Sequence, residues 1–221
     1  LARTQPGRRL RLDDRWRQLS RSHWLAGVDE VGRGCLAGPV VVAAVVMPPG
    51  RELVGVRDSK QMTAAARERA YLQIRESATA IAALAVHQDE VDRLNVLHAS
   101  LAGMGRVVQR LERRHGTRVD HVLVDGNQIP KELLGRATAI CKGDDRSQSI
   151  AAASVIAKVL RDRVMRTWGR HYPVYGFERH VGYPTAEHRK ALEQHGPCHL
   201  HRRSFAPVAA AFARLAAGGQ A

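Results

Sequence analysis

The sequence predicts an α/β fold: a mixed five-stranded sheet flanked by helices, with a further helical flank after Tyr172. Three observations predict it. Five apolar runs of four to eight residues are rich in Val, Leu, Ile and Ala, as strands are, and three of them end against glycine, proline or an acid. Longer stretches between and after them carry helix start and stop residues. Three strands come first and helices then alternate with strands, which is the order of a sheet covered by helices.

The elements follow in order. Leu25–Val31 is an apolar run that contains two acids. Val40–Met47 is closed by Pro48-Pro49-Gly50, and the two strands read as an antiparallel hairpin that Ile81–His87 extends. His121–Val124 and Ala137–Cys141 are the remaining strands. Helices are expected from Thr63, in a stretch rich in helix formers, and from Gln88, where an acidic first turn suits the helix dipole. Val96–His115 is closed by Gly116. Ser149 to Trp168 carries the small residues Ala151–Ser154, suited to close packing. Thr185–Gln194 and Val208–Leu215 form the flank. Residues 1–22 read as a basic arm with a short helix at Asp14–Leu19, residues 23–215 as one domain, and residues 216–221 as a frayed tail.

The chain has 221 residues, a formal charge of +14 and a pI near 10.9. The excess is arginine, whose planar fork matches phosphate. Such a surplus favours a polyanion, most often nucleic acid, although a generally basic protein is the bland alternative. Aromatic residues are only 5% of the chain, too few for a reader of single strands, which needs several exposed rings. Cys35, Cys141 and Cys198 show neither zinc spacing nor a disulfide framework, so a reducing cytoplasm is expected. No apolar run is long enough to span a membrane, the arm lacks a signal core, and a monomer is expected.

The informative stretch is Gly27-Val28-Asp29-Glu30-Val31-Gly32-Arg33-Gly34. An acid pair of this kind is commonly just a solvated strand end. Neighbouring strand residues also point to opposite faces, so a regular strand cannot aim both at one metal, but Gly32 and Gly34 permit a bulge or turn. Val122-Leu123-Val124-Asp125 is a second apolar run ending in an acid, and Ile140-Cys141-Lys142-Gly143-Asp144-Asp145 a third. Ligands bind beyond strand ends in such sheets. Asp29, Glu30, Asp125 and Asp144 therefore offer oxygen ligands to a hard cation such as Mg2+. Two such ions about 3.5–4 Å apart can hold the attacking and leaving oxygens of a phosphodiester. Asp145 competes for the fourth place, and Asp144 is preferred because it directly follows Lys142-Gly143. Lys142 reads equally as a phosphate ligand or a solvated strand end. Ser154 reads as packing, and His180 as structural before proton shuttle.

These blocks, with Leu36-Ala37-Gly38-Pro39, Asp58-Ser59-Lys60, Ser149–Lys158, Tyr175-Gly176-Phe177, Gly182-Tyr183-Pro184-Thr185 and His201-Arg202-Arg203-Ser204-Phe205, resemble ribonuclease HII across residues 24–207. The resemblance implies a ribonuclease H-like catalytic domain. It implies a metal-dependent endonuclease acting on RNA–DNA hybrids and on duplex DNA containing ribonucleotides. Cutting is expected 5′ of the embedded ribonucleotide, leaving a 3′-hydroxyl and a 5′-phosphate. It implies that Asp29, Glu30, Asp125 and Asp144 hold Mg2+ or Mn2+. Gly32-Arg33-Gly34 is expected to sense the ribose 2′-hydroxyl, with Tyr183 stacked on the neighbouring sugar and Lys60 and Lys142 among the phosphate contacts. Two departures stand out: Cys35 replaces a common proline, and Val181 a common lysine. A DNA nuclease of the same fold and a non-catalytic hybrid binder are the rivals. The Gly-Arg-Gly block opposes the first. Four acids, which would repel phosphate without metal, oppose the second.

Overall fold

The computed structural model describes residues 7–56, 59 and 62–218. Asp58 and Lys60 lie outside the described residues. The five strands are β1 (Leu25–Val31), β2 (Val40–Val46), β3 (Ala80–Val86), β4 (His121–Asp125) and β5 (Ala137–Ile140). They form one mixed sheet in the order β3-β2-β1-β4-β5. All five fall within a residue or so of the apolar runs that predicted them. Asp125 belongs to β4 itself and ends it.

β1 and β4 run parallel, with Val28 opposite Val124, and β4 and β5 run parallel, with Asp125 opposite Ile140. Parallel strands are covered on both faces and so read as near-continuous apolar runs. Leu25, Leu123, Ile140 and Ile150 pack as one buried cluster.

The helices are α1 (Arg8–Ser20), α2 (Ala64–Ser77), α3 (Gln88–Leu94), α4 (Val96–His115), α5 (Gly143–Arg146), α6 (Gln148–His171), α7 (Phe177–His180), α8 (Ala186–His195) and α9 (Ala206–Gly218). Thr63 and Thr185 cap α2 and α8, their side chains accepting from Ala66 N–H at 3.2 Å and His188 N–H at 3.1 Å. Gly27 lets α6 press on β1, because a Cβ there would stand 2.1 Å from the Ser149 backbone.

α1 begins six residues before the predicted Asp14, and α6 extends past the predicted Trp168. The buried face of α1 is Leu10, Asp13 and Arg17, which hydropathy does not register as a core face. Asp13 accepts from Ser147 Oγ at 2.6 Å, Ser149 N–H at 2.8 Å and Ser149 Oγ at 2.7 Å. It thereby caps the start of α6 from another helix. Burial pushes the Asp13 carboxyl up, and these bonds oppose the shift.

The chain divides into two compact units. One runs to Val31 and takes in Val42–Leu84 and Leu101–Val159; the other takes in Gly32–Val41, Ala85–Ser100 and the chain from Leu160 on. The first holds most of the sheet. The second is built around two fully buried guanidiniums, Arg161 and Arg202. Arg161 donates to the carbonyls of Pro39 at 2.9 Å, Val181 at 2.8 Å and Ala37 at 3.1 Å. Arg202 donates twice to Gly38, at 3.0 and 2.8 Å, and to Arg33 at 2.8 Å. Burial draws the Arg202 guanidinium down to about 10. Around them lies an aromatic cluster in which Tyr175 stacks on Phe177 at 5.3 Å between centroids.

Replacing Arg161 with Met would leave three carbonyls without their donor. We expect a loss of about 3 kcal/mol or more in urea unfolding. Arg161→Lys should recover only part of it, because one ammonium cannot reproduce the fork. A midpoint within about 0.5 kcal/mol of the parent would contradict this account.

Candidate active site

The carboxyl ends of β1, β4 and β5 bring the acids toward one edge of the first unit. Asp29 is 5% exposed. One of its oxygens accepts from the Glu30 amide at 2.7 Å, and the Ser154 hydroxyl also donates to the carboxylate. Ser154 Oγ lies 2.9 Å from Ser59 Oγ, so a residue read as packing supports an acid directly. Burial, then the negative charges of Glu30 and Asp125, push the Asp29 carboxyl well above the usual range. Asp29 therefore lies close enough to Glu30 and to Asp125 to feel the charge of each.

Asp125 is half-buried and accepts from the Gly143 amide at 2.6 Å. Gly143 starts α5, and its neighbour Asp144 is 8% exposed, with an oxygen accepting from the Asp145 amide at 3.0 Å. Asp145 is exposed and ion-paired with Arg9 at 3.1 Å. It therefore has a cation already, and Asp144 is buried at the second position of α5, beyond the end of β5. Among the described residues, no group of three His, Cys, Asp or Glu side chains stands at metal-holding geometry. The donor set nevertheless fits a hard divalent cation: it is all oxygen, it is partly buried, and at Asp29 burial and the neighbouring charges hold the carboxyl up.

Lys142 is exposed and left-handed, at φ 53°, directly before α5. In the second unit, Gly32 has φ +103°, and a Cβ there would stand 2.1 Å from Arg161 Nε. Gly34 differs: nothing lies within 4 Å of the Cβ it lacks, so the fold makes no demand for glycine there. Arg33 is exposed, and its carbonyl is held by Arg202. Tyr183 is half-buried, its ring centroid 5.8 Å from the Arg161 guanidinium. Val181, just before it, sits at φ 46°, a strained conformation for a β-branched residue, with its carbonyl bonded by Arg161. Nothing along the chain marks Arg161 or Arg202 as organisers, since a buried arginine looks like any other.

The Asp29 carboxyl is raised in the folded chain, so the folded state binds a proton more tightly than the unfolded one. Without metal, its contribution to stability therefore declines as pH rises above about 4, the ordinary aspartate value. Asp29→Asn keeps an oxygen to accept from the Glu30 amide and removes the charge. In EDTA at pH 7.5 it should melt at least about 3 °C above the parent, with the gap closing toward pH 4. An unchanged or lower melting temperature at pH 7.5 would contradict the repulsion.

Comparison with known proteins agrees with this architecture. The family model described as Ribonuclease HII matches residues 26–208. A Ribonuclease HII of Thiobacillus denitrificans is 50% identical over 184 residues, covering 83% of this chain and 88% of the relative. One of Polynucleobacter necessarius is 46% identical over 193 residues, covering 87% and 98%. Among solved structures, ribonuclease H2 from Pyrococcus horikoshii OT3 superposes with a TM-score of 0.73 at 25% identity, covering 87% of this chain and 98% of that one. The RNase HII of the PCNA complex from Archaeoglobus fulgidus gives 0.68 at 26% identity, covering 81% and 93%. With its sheet order, its acid-bearing strand ends and a match over most of its length, the chain belongs to the ribonuclease HII family and is an endoribonuclease.

Proposed function

We propose that this endonuclease uses Mg2+ or Mn2+ to cut 5′ of a ribonucleotide embedded in duplex DNA, leaving a 3′-hydroxyl and a 5′-phosphate. The observation that carries the metal requirement is Asp29: a buried carboxylate pressed by Glu30 and Asp125 is a charge deficit that a divalent cation relieves. Asp29, Glu30, Asp125 and Asp144 would hold the ions. When bound, these supply a lowered pKa for attacking water and positive charge at the scissile phosphate. Ser154 and the Glu30 amide orient Asp29, and the Gly143 amide orients Asp125.

Recognition is assigned to Gly32-Arg33-Gly34 and Tyr183. The 2′-hydroxyl is the group that separates ribose from deoxyribose. Gly34 supports this reading, because its open α-carbon leaves bare backbone free to approach a sugar. Arg33 and Lys142 are exposed cations suited to phosphate. Lys60 is proposed as a further contact on sequence alone.

The decisive assay is cleavage of a duplex carrying one ribonucleotide, with Mg2+ or Mn2+ and with EDTA. Cutting should need the metal and stop when the ribose is replaced by deoxyribose. Asp29→Asn, Asp125→Asn and Asp144→Asn should lower kcat by about 100-fold or more, and Asp145→Asn by less than about 5-fold. Gly34→Ala should fold normally yet cleave poorly. Equal rates on ribose and deoxyribose would favour the DNA nuclease instead.

Backbone affinity is assigned in part to α1. Arg8, Arg11 and Arg15 lie on one helix face and, with Leu12 and Arg146, line a groove of about 230 Å3. Changing those three α1 arginines to Gln, which spares Asp13, should weaken binding and flatten the salt dependence by about 2 in the log–log slope. The cut position should not move. An unchanged slope would remove α1 from the interface.

A further inference from the structure

Three histidines are buried in the second unit: His180 at 7% exposure, His188 at 0% and His201 at 2%. Backbone groups determine which nitrogen of each ring carries the proton. The Cys198 amide donates to His201 Nδ1 at 3.0 Å, and Cys198 Sγ lies 3.2 Å from the same nitrogen. His201 Nδ1 is therefore an acceptor, and the proton of the neutral ring sits on Nε2. That nitrogen is 3.1 Å from His188 Nε2. One proton serves the pair, so His188 Nε2 accepts and His188 carries its own proton on Nδ1. His188 Nδ1 then donates to the Tyr183 carbonyl at 2.9 Å, beside the Thr185 amide at 2.8 Å. His180 is fixed in the same way. It accepts from the Gly182 amide at Nδ1, 3.2 Å away, and donates from Nε2 to the Tyr175 carbonyl at 2.7 Å.

An added proton on either member of the His188–His201 pair would set two N–H groups against each other. The ionisable neighbours do not offset that. His180 stacks on His188 at 4.5 Å between centroids. Glu187 is exposed and engaged by Arg179. Tyr175 and Cys198 are held protonated by burial, Arg161 faces the Tyr183 ring, and Arg202 follows His201 in the chain. Burial keeps both His188 and His201 down at about 4.

The relay ends on Tyr183, whose backbone follows a left-handed bend, Val181 at φ 46° and Gly182 at φ +86°. We propose that His188 and His201 are positioning residues for Tyr183: a relay of neutral imidazoles anchored on the Cys198 amide fixes the Tyr183 carbonyl, and with it the angle at which the ring meets the ribose. This rests on the reading of Tyr183 as the sugar contact.

The test is a double-mutant cycle on the single-ribonucleotide duplex. His188→Leu should lower kcat/KM by about tenfold, the worth of a lost hydrogen bond. His188→Asn, whose amide reproduces the Nδ1 donor, should recover most of the loss. In a Tyr183→Ala background His188→Leu should cost less than about twofold. An equal cost in both backgrounds means that His188 acts on the fold alone and overturns the proposal. If Tyr183→Ala by itself leaves cleavage intact, the sugar-contact reading fails first, so the two failures are separable. Should His188→Leu not fold, the parent protein still decides. Nitrogen NMR of the rings should show Nδ1–H on His188, Nε2–H on His201, and neither ring protonated at pH 5.5. The opposite tautomer, or titration near the ordinary histidine value of about 6.5, overturns the relay.

Discussion

The second unit depends on two positive charges kept out of water and met by peptide carbonyls. Arg161 and Arg202 together bond the carbonyls of Arg33, Ala37, Gly38, Pro39 and Val181, five groups that no sheet or helix ladder could reach. The planar fork makes this possible, because its donors diverge in fixed directions. The requirement then propagates. Arg161 lies so close to Gly32 that any side chain there would collide, and its grip on Val181 holds a φ that valine otherwise avoids. The glycine that looks like a recognition element is thus also a packing element, while Gly34 carries no such duty.

The first unit shows the opposite bias. Asp29 is buried beside other carboxylates, an arrangement that weakens the metal-free fold. Such a cluster persists where a counter-charge arrives from outside. Its supports are neutral: an adjacent amide, a serine hydroxyl and, for Asp125, the Gly143 amide. They orient oxygens without discharging them. Asp145, an exposed acid of the same short helix as Asp144, is matched by Arg9.

Much of this was legible in the sequence. The strands were, because buried parallel strands are apolar runs, and the acids drew notice because three separate apolar runs lead into one, although a single such acid is commonly just solvated. Val96–His115 matched α4 to the residue. The start of α1 was not legible, since its buried face is Leu10, Asp13 and Arg17 and the partners of Asp13, Ser147 and Ser149, lie more than a hundred residues away. Nor was the role of Ser154, which depends on where β1 passes α6. The link between His188 and His201 went unnoticed for a related reason: their hydrogen-bond chain joins a helix start to a loop that follows it, and no local spacing encodes which nitrogen holds a proton. Lys60 falls outside the described residues and stays an expectation.

Asp13 has a broader consequence. The family match opens at residue 26, whereas the carboxylate that caps α6 comes from residue 13. Inheritance and mechanics therefore draw different borders on this chain. A version trimmed to the matched residues would keep every acid at the strand ends and lose the clamp on the segment that follows Asp144. Its defect would then show as looseness, in faster amide exchange around Ser147–Ser149, before it showed as a missing chemical group.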